Sequence, residues 1–232
     1  MIKKTALAVA ALVAGVSAQA ADLSVTLDTT YVTDYVFRGK QAGNESIQPS
    51  VEATYGDLYV GAWHSSSLSN KPVVAGLDVT ETDLYAGYNI KIDDTFSADV
   101  GLTRYLYEGH SAGDTTEAFV GIKATGLLSP SLYYYYDFDL EVSTFEASVG
   151  YSVPAEAIKA SLDFSAKAGN VLTHKSASED RVYGSVGVAI PYKLAENATL
   201  TVGADYIVND GGEFIDGEAD GFVGKLGLSI GF

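Results

Sequence analysis

The side chains able to do chemistry are unevenly distributed along the chain. Asp and Glu number 30 against 14 Lys and Arg, with three His and no Cys. A Ser/His hydrolase needs a hydroxyl, an imidazole and an orienting polar group within hydrogen-bond reach. His64 stands beside Ser65, Ser66 and Ser67, but His110 and His174 fall in polar stretches between apolar segments. Carboxylates are plentiful, yet no spacing singles out a hydrolytic pair. The stretch NDGGEFIDGEAD, residues 209–220, gathers Asp210, Glu213, Asp216, Glu218 and Asp220, hard oxygen ligands of the kind calcium takes. Their spacing departs from the EF-hand loop, so a solvated acidic loop is the expectation. His110 and His174 are read as isolated loop histidines. No enzyme, no metal and no cofactor is expected. A formal charge of −16 has the wrong sign for phosphate contacts, so nucleic acid is excluded as a partner.

The remaining charges follow a rule of position. Phe222, Leu226, Leu228, Ile230 and Phe232 share one parity, and Val223, Lys225, Gly227, Ser229 and Gly231 the other. Residues 145–153, 158–168 and 83–91 alternate in the same way, with Asp, Glu, Lys, Ser and Gly opposite Phe, Val, Leu, Ile and Ala. Period-two alternation is the signature of strands with one apolar face. Twelve strands are expected, at 23–38, 46–55, 57–66, 81–92, 95–108, 115–125, 130–139, 142–153, 158–169, 181–192, 198–208 and 221–232. Within 153–160, Pro154 and Ala155 read as a turn more simply than as a helical start.

Three features say what the apolar face meets. Residues 1–20 combine the basic pair Lys3–Lys4, an apolar run and the small-x-small site Ala18-Gln19-Ala20, the pattern of a cleaved secretory signal with Ala21 as the new terminus. An exported chain without Cys has no disulfides to staple it. The links between strands alternate: 56–57, 93–94, 126–129, 154–157 and 193–197 are short, while 39–45, 67–80, 109–114, 170–180 and 209–220 are longer and polar, 140–141 being a brief exception. Short turns on one rim and longer loops on the other are expected of an outer-membrane β-barrel, as is an even strand count. Tyr55, Phe96, Tyr151, Tyr192 and Phe232 fall beside the short links on the apolar parity, where an interfacial aromatic girdle belongs. The chain also ends on a strand, GKLGLSIGF, whose Leu228, Ile230 and Phe232 suit a last strand that closes on the first. This ending resembles the C-terminal assembly signal shared by many outer-membrane barrels. The implied partners are membrane lipid and the barrel-assembly machinery.

The fold class expected is therefore an all-β antiparallel transmembrane barrel of about twelve strands over 21–232. Its inner face would carry Asp28, Asp34, Arg38, Glu52, Asp83, Lys91, Asp99, Glu117, Lys123, Asp137, Asp139, Glu146, Asp163, Lys167, Asp205 and Lys225 as pore-lining residues. Such charges need water or partners. Acids in excess would favour cations, with Lys and Arg on the opposing wall narrowing the passage. Of the run Tyr133 to Tyr136, half would face lipid and half the lumen.

Three stretches, TYVTDYVFRG (30–39), GDLYVGAWHSS (56–66) and SPSLYYYYDFD (129–139), resemble in their order the TorF porin family of small exported bacterial proteins. The resemblance implies an outer-membrane porin-like barrel and assigns neither a solute nor a catalytic residue. The function expected is passive diffusion of small hydrophilic solutes across the outer membrane, with cation preference. The alternative is a closed structural or adhesive barrel acting through its external loops, without transport.

Overall fold

The computed structural model describes residues 23–69, 80–108, 113–174, 180–211 and 218–232. The expected signal segment, the Ala21 start, His110, Glu213 and Asp216 lie outside them. The alternating segments form β1 (Leu23–Val32), β2 (Tyr35–Phe37), β3 (Lys40–Gly43), β4 (Ser46–Tyr55), β5 (Leu58–Ser67), β6 (Thr80–Lys91), β7 (Phe96–Glu108) and β8 (Thr115–Ala124). After them come β9 (Ser131–Asp137), β10 (Val142–Ala155), β11 (Ala160–Thr173), β12 (Arg181–Ala195), β13 (Ala198–Asn209) and β14 (Asp220–Gly231). Strands β2 and β3 pair only with each other; the other twelve form one closed antiparallel barrel. The closing seam runs from Thr26 opposite Gly231 to Val32 opposite Lys225. Val25 and Phe232 then exchange both backbone hydrogen bonds, at 3.1 and 2.8 Å. The terminal residue is thus part of the seam.

Strand parity decides what faces outward. Leu84, Leu102, Val120, Val186, Val202 and Phe222 are all exposed, Phe222 by 71%. Apolar surface running round a whole cylinder far exceeds the few hundred Å² that a soluble monomer tolerates in one patch. The longest barrel strands suit a bilayer: the 14 residues of β10, at about 3.3 Å each and tilted near 45°, rise about 33 Å, more than an apolar band of about 25 Å. Tyr55, Phe96, Tyr151, Tyr192 and Phe232 are exposed beside the short-turn rim. Tyr134 with Phe145, Tyr136 with Phe138 and Tyr206 with Phe222 pair at ring distances of 4.9, 5.3 and 4.9 Å toward the other rim.

The rims differ as expected, with local departures. Asp93 closes one short turn by accepting the N–H groups of Thr95 and Phe96, both at 2.7 Å, which holds its carboxyl below the usual carboxylate range. Pro154 and Ala155 still belong to β10, and the expected turn is a 3₁₀ turn at Glu156–Ile158 instead. Opposite β11, Pro154 loses only a donor it does not need, because β9 stops pairing with β10 at Ser148. Strand β11 accordingly begins at Ala160 and runs on to Thr173.

The largest correction concerns 23–38. The wall strand stops at Val32, and after Thr33 donates a last bond to Gly224 O at 3.0 Å the chain turns inward. Arg38 and Gly39 both take positive φ, +49° and +78°. That is the backbone of a tight two-residue hairpin whose twist matches its strands. What read as the end of a strand and an external loop is a hairpin folded into the barrel.

Inside, one packing device recurs in three successive triplets of strands. Glu52 on β4 faces Gly61 on β5, which faces Tyr85 on β6. The Tyr85 ring lies over the glycine, and its hydroxyl donates to Glu52 at 3.1 Å. Asp99, Gly121 and Tyr133 repeat this on β7, β8 and β9, with a 2.7 Å bond. Glu146, Gly169 and Tyr183 repeat it on β10, β11 and β12, with a 2.6 Å bond. A Cβ built on Gly61, Gly121 or Gly169 would lie under 3.0 Å from the tyrosine ring. Each glycine is therefore the floor on which a tyrosine reaches a carboxylate two strands away. Replacing Gly121 by Ala should overpack this contact and cost about 1–3 kcal/mol. Gly150→Ala, whose Cβ would meet nothing nearer than 3.8 Å, should be neutral. Denaturant unfolding in detergent, followed by the gel shift of the folded barrel, checks both.

Candidate functional site

The hairpin of β2 and β3 crosses the lumen and is held at three places. At its root, Val32, Tyr35 and Val223 form a buried apolar cluster joined by Val36, Ala42, Trp63 and Ile207. Tyr35 packs at a tilt against Trp63, ring centres 5.4 Å apart, and donates to Glu81 at 2.8 Å. At its tip, the Arg38 guanidinium grips Glu117 on β8 with two bonds of 2.7 and 2.8 Å. It also lies 4.6 Å from the Tyr135 ring centre and 4.7 Å from that of Phe37. On the far wall, Arg181 Nε donates to Arg38 O at 3.0 Å, and Asn209 Nδ2 donates to Gly39 O at 2.7 Å. A Cβ on Gly39 would lie 2.5 Å from Tyr183 Cβ, so the tip sits directly against β12.

These holds are unequal. The Arg38 and Glu117 side chains are 11% and 3% exposed. Breaking a buried charge pair by removing one partner costs about 3–5 kcal/mol. The Asn209 amide contributes about 1 kcal/mol net, and the Arg181 bond about 2 kcal/mol.

The hairpin divides the lumen. Toward β4–β9, at its own level, inward side chains are packed: Ser65 is 0% exposed, Glu81 2% and Glu117 2%. Toward β10–β14, small and polar residues leave a cavity of about 500 Å³. It reaches from Arg38 and Gly39 to Ser129 in a short-rim turn and is lined by Ser148, Ser165, Lys167, Ser185, Asp205 and Lys225 among others. Twelve strands enclose more room than wall side chains fill. Here part of that room is taken by the hairpin and the tyrosines, and part remains open.

Three comparisons bear on this arrangement. Residues 17–214 match the model of a family described as bacterial proteins of unknown function, Gcw_chp. The chain belongs to that family. No curated protein matches it in sequence. Among solved structures, the KdgM porin is similar at 12% identity with a TM-score of 0.62, covering 89% of this chain and 99% of that one. The NanC porin is similar at 12% identity with a TM-score of 0.56, covering 89% and 98%. At such identity the likeness shows a shared fold, and the chain spans nearly the whole of both porins.

This family member places the expected pore-lining residues as follows. Asp28, Glu52, Asp83, Asp99, Glu117, Lys123, Asp137, Glu146, Asp163, Lys167, Asp205 and Lys225 sit on the inward parity of wall strands. Asp34 and Arg38 do not, because they belong to the in-folded hairpin, where Asp34 accepts from Gln41 Nε2 at 3.1 Å. Lys91 ends β6 at the short-turn rim, 71% exposed and paired with Asp94. Asp139 lies in the turn after β9, where it accepts the Thr116 N–H at 2.8 Å and faces Arg104 on the outward parity. Turn geometry, not alternation, sets its direction.

The bases do not stand across the lumen from the acids. Lys123 meets Asp99 at 2.9 Å, Lys167 meets Glu146 at 3.2 Å, and Lys225 meets Asp205, each pair on adjacent strands. In all three the partners are diagonal neighbours in the register, close enough for long side chains to meet. Asp137 is committed to the turn, accepting the N–H groups of Asp139 and Leu140.

Sequence reasoning missed Tyr35, Glu81, Arg181 and Asn209. The dipeptide Arg38-Gly39, a turn-competent glycine amid an apolar strand, was the available signal. The two described histidines are peripheral. His64 bonds Thr82 at 2.8 Å, and His174 bonds Ser143 on the outward parity at 2.9 Å. Among the described residues no cluster is arranged to hold a metal.

If the Tyr183 hydroxyl helps set the wall beneath the tip, Tyr183→Phe should remove a bond to a charged acceptor worth about 2 kcal/mol. Denaturant midpoints in detergent should fall accordingly, with the folded gel mobility kept.

Proposed function

We propose that this protein is an outer-membrane porin-like channel through which small hydrophilic solutes diffuse passively. The observation that carries the reading is the open, partly polar cavity inside a closed barrel that turns apolar side chains outward around its circumference. The likeness in fold to two porins supports it. Export through a cleaved signal, residence in outer-membrane lipid and insertion by the barrel-assembly machinery through the strand ending in Leu228, Ile230 and Phe232 belong to the same proposal. Filtering is steric and electrostatic, with no covalent step and no cofactor.

Inward acids outnumber inward bases, so the field favours cations. The bias is modest, because Lys167 and Lys225 on the open wall each lie against a carboxylate. A second reading, a closed structural or adhesive barrel acting through its loops, is favoured by the hairpin that touches both walls.

In planar bilayers with a salt gradient, the purified protein should give single-channel steps and a reversal potential biased weakly toward cations. A tight seal would favour the closed barrel, and anion bias would remove the electrostatic argument. Deleting Phe232 should lower the amount of heat-modifiable protein in outer-membrane fractions, since it removes two seam bonds and the terminal aromatic.

A further inference from the structure

Resting on the porin-like reading, the unequal holds on the hairpin specify where a solute would pass. The root is fixed by an apolar cluster shared with β1, β5, β13 and β14. The Arg38 side chain is fixed to β8 by a buried bidentate pair and by stacking on Tyr135. Charge-assisted bidentate pairs in such surroundings are the strong class of polar contact. On the β12–β13 side, among the described residues, the tip rests on Tyr183 through Gly39 and is bonded through its backbone carbonyls by Arg181 and Asn209. The cavity begins directly beneath this weaker contact, with Ser185 and Tyr183 in its wall.

We infer that the seam between the hairpin tip and β12–β13 is the constriction of the channel, and that Asn209 and Arg181 latch it. The tip moves from this wall while Arg38 stays on Glu117. Solutes therefore travel off-axis, along the serine-lined side, and not along the tyrosine side. Arg38 is a positioning residue in this scheme, and Asn209 and Arg181 decide what passes. Nothing larger than the gap they leave reaches the cavity.

The chain has no cysteine, so an introduced thiol reports its own position. Ser185→Cys places one beneath the seam, and Ser65→Cys places one on the packed side, where the native side chain is 0% exposed. Each is made with and without Asn209→Ala, and heat-modifiable mobility verifies folding. A trimethylammonium methanethiosulfonate reagent is added on the long-loop side of a bilayer, and both current and labelled mass are followed. Ser185→Cys should be labelled and lose about half of its conductance or more. Adding Asn209→Ala should speed that labelling about fivefold, the effect of losing one latch bond of about 1 kcal/mol, and should raise the conductance before labelling. Ser65→Cys should stay unlabelled in both backgrounds.

A conducting protein in which Asn209→Ala changes neither labelling rate nor conductance would overturn the latch. Equal labelling of Ser65→Cys would overturn the off-axis path. The porin reading itself falls, and this inference with it, only if no variant conducts and Ser185→Cys is never labelled.

Discussion

Lipid offers no hydrogen-bond partner to a peptide group, and everything else in this structure follows from that. A sheet that crosses a bilayer must leave no edge. The chain meets the requirement by returning its last strand to its first, with Phe232 still exchanging backbone bonds with Val25. Closure fixes strand parity, and parity sends every second side chain to the apolar outer face and the rest into a shared interior. The interior then becomes the problem to be solved. Twelve strands enclose a space that wall residues do not fill, and polar groups placed there must find water or one another.

The molecule solves half of this with glycine, tyrosine and carboxylate. A glycine without a side chain lets the tyrosine of the next strand lie flat across it and reach an acid on the strand beyond. Three strands are tied together on their inner surface without any charge being left bare. Two of these acids also receive lysines diagonally from neighbouring strands, Lys123 at Asp99 and Lys167 at Glu146. An interior that looks strongly acidic in composition is therefore locally compensated along much of its wall. Net charge alone overstates the field a solute would meet.

The other half is solved by bringing in a separate piece of chain. The hairpin of β2 and β3 carries its own apolar root and a single arginine at its tip. It packs against the aromatic side and leaves the small-residue side open. A barrel of the same fold as two porins thus has an asymmetric lumen, narrowed by an element that belongs to none of its walls.

Alternation made the barrel legible from the residues alone. Strand parity is local, and each of 46–55, 81–92 and 198–208 declares its apolar face without reference to any other segment. The rims were legible for a similar reason, since Gly56-Asp57 or Asp93-Asp94 allows only a tight turn. The likeness in fold to porins agrees with that reading, while the family matched is described as of unknown function and does not carry the TorF name. The hairpin was not legible, because Tyr35 to Phe37 continues the alternating pattern of β1 and nothing local says that its partner is Lys40 to Gly43 rather than a wall strand. Nor could the chain order reveal that Arg38 meets Glu117, or that Asn209 meets Gly39 across 170 positions. Which face of each strand is greasy depends on neighbours in sequence. Which charges meet, and which side of the lumen stays open, depends on register and on a fold-back that exist only once the cylinder has closed.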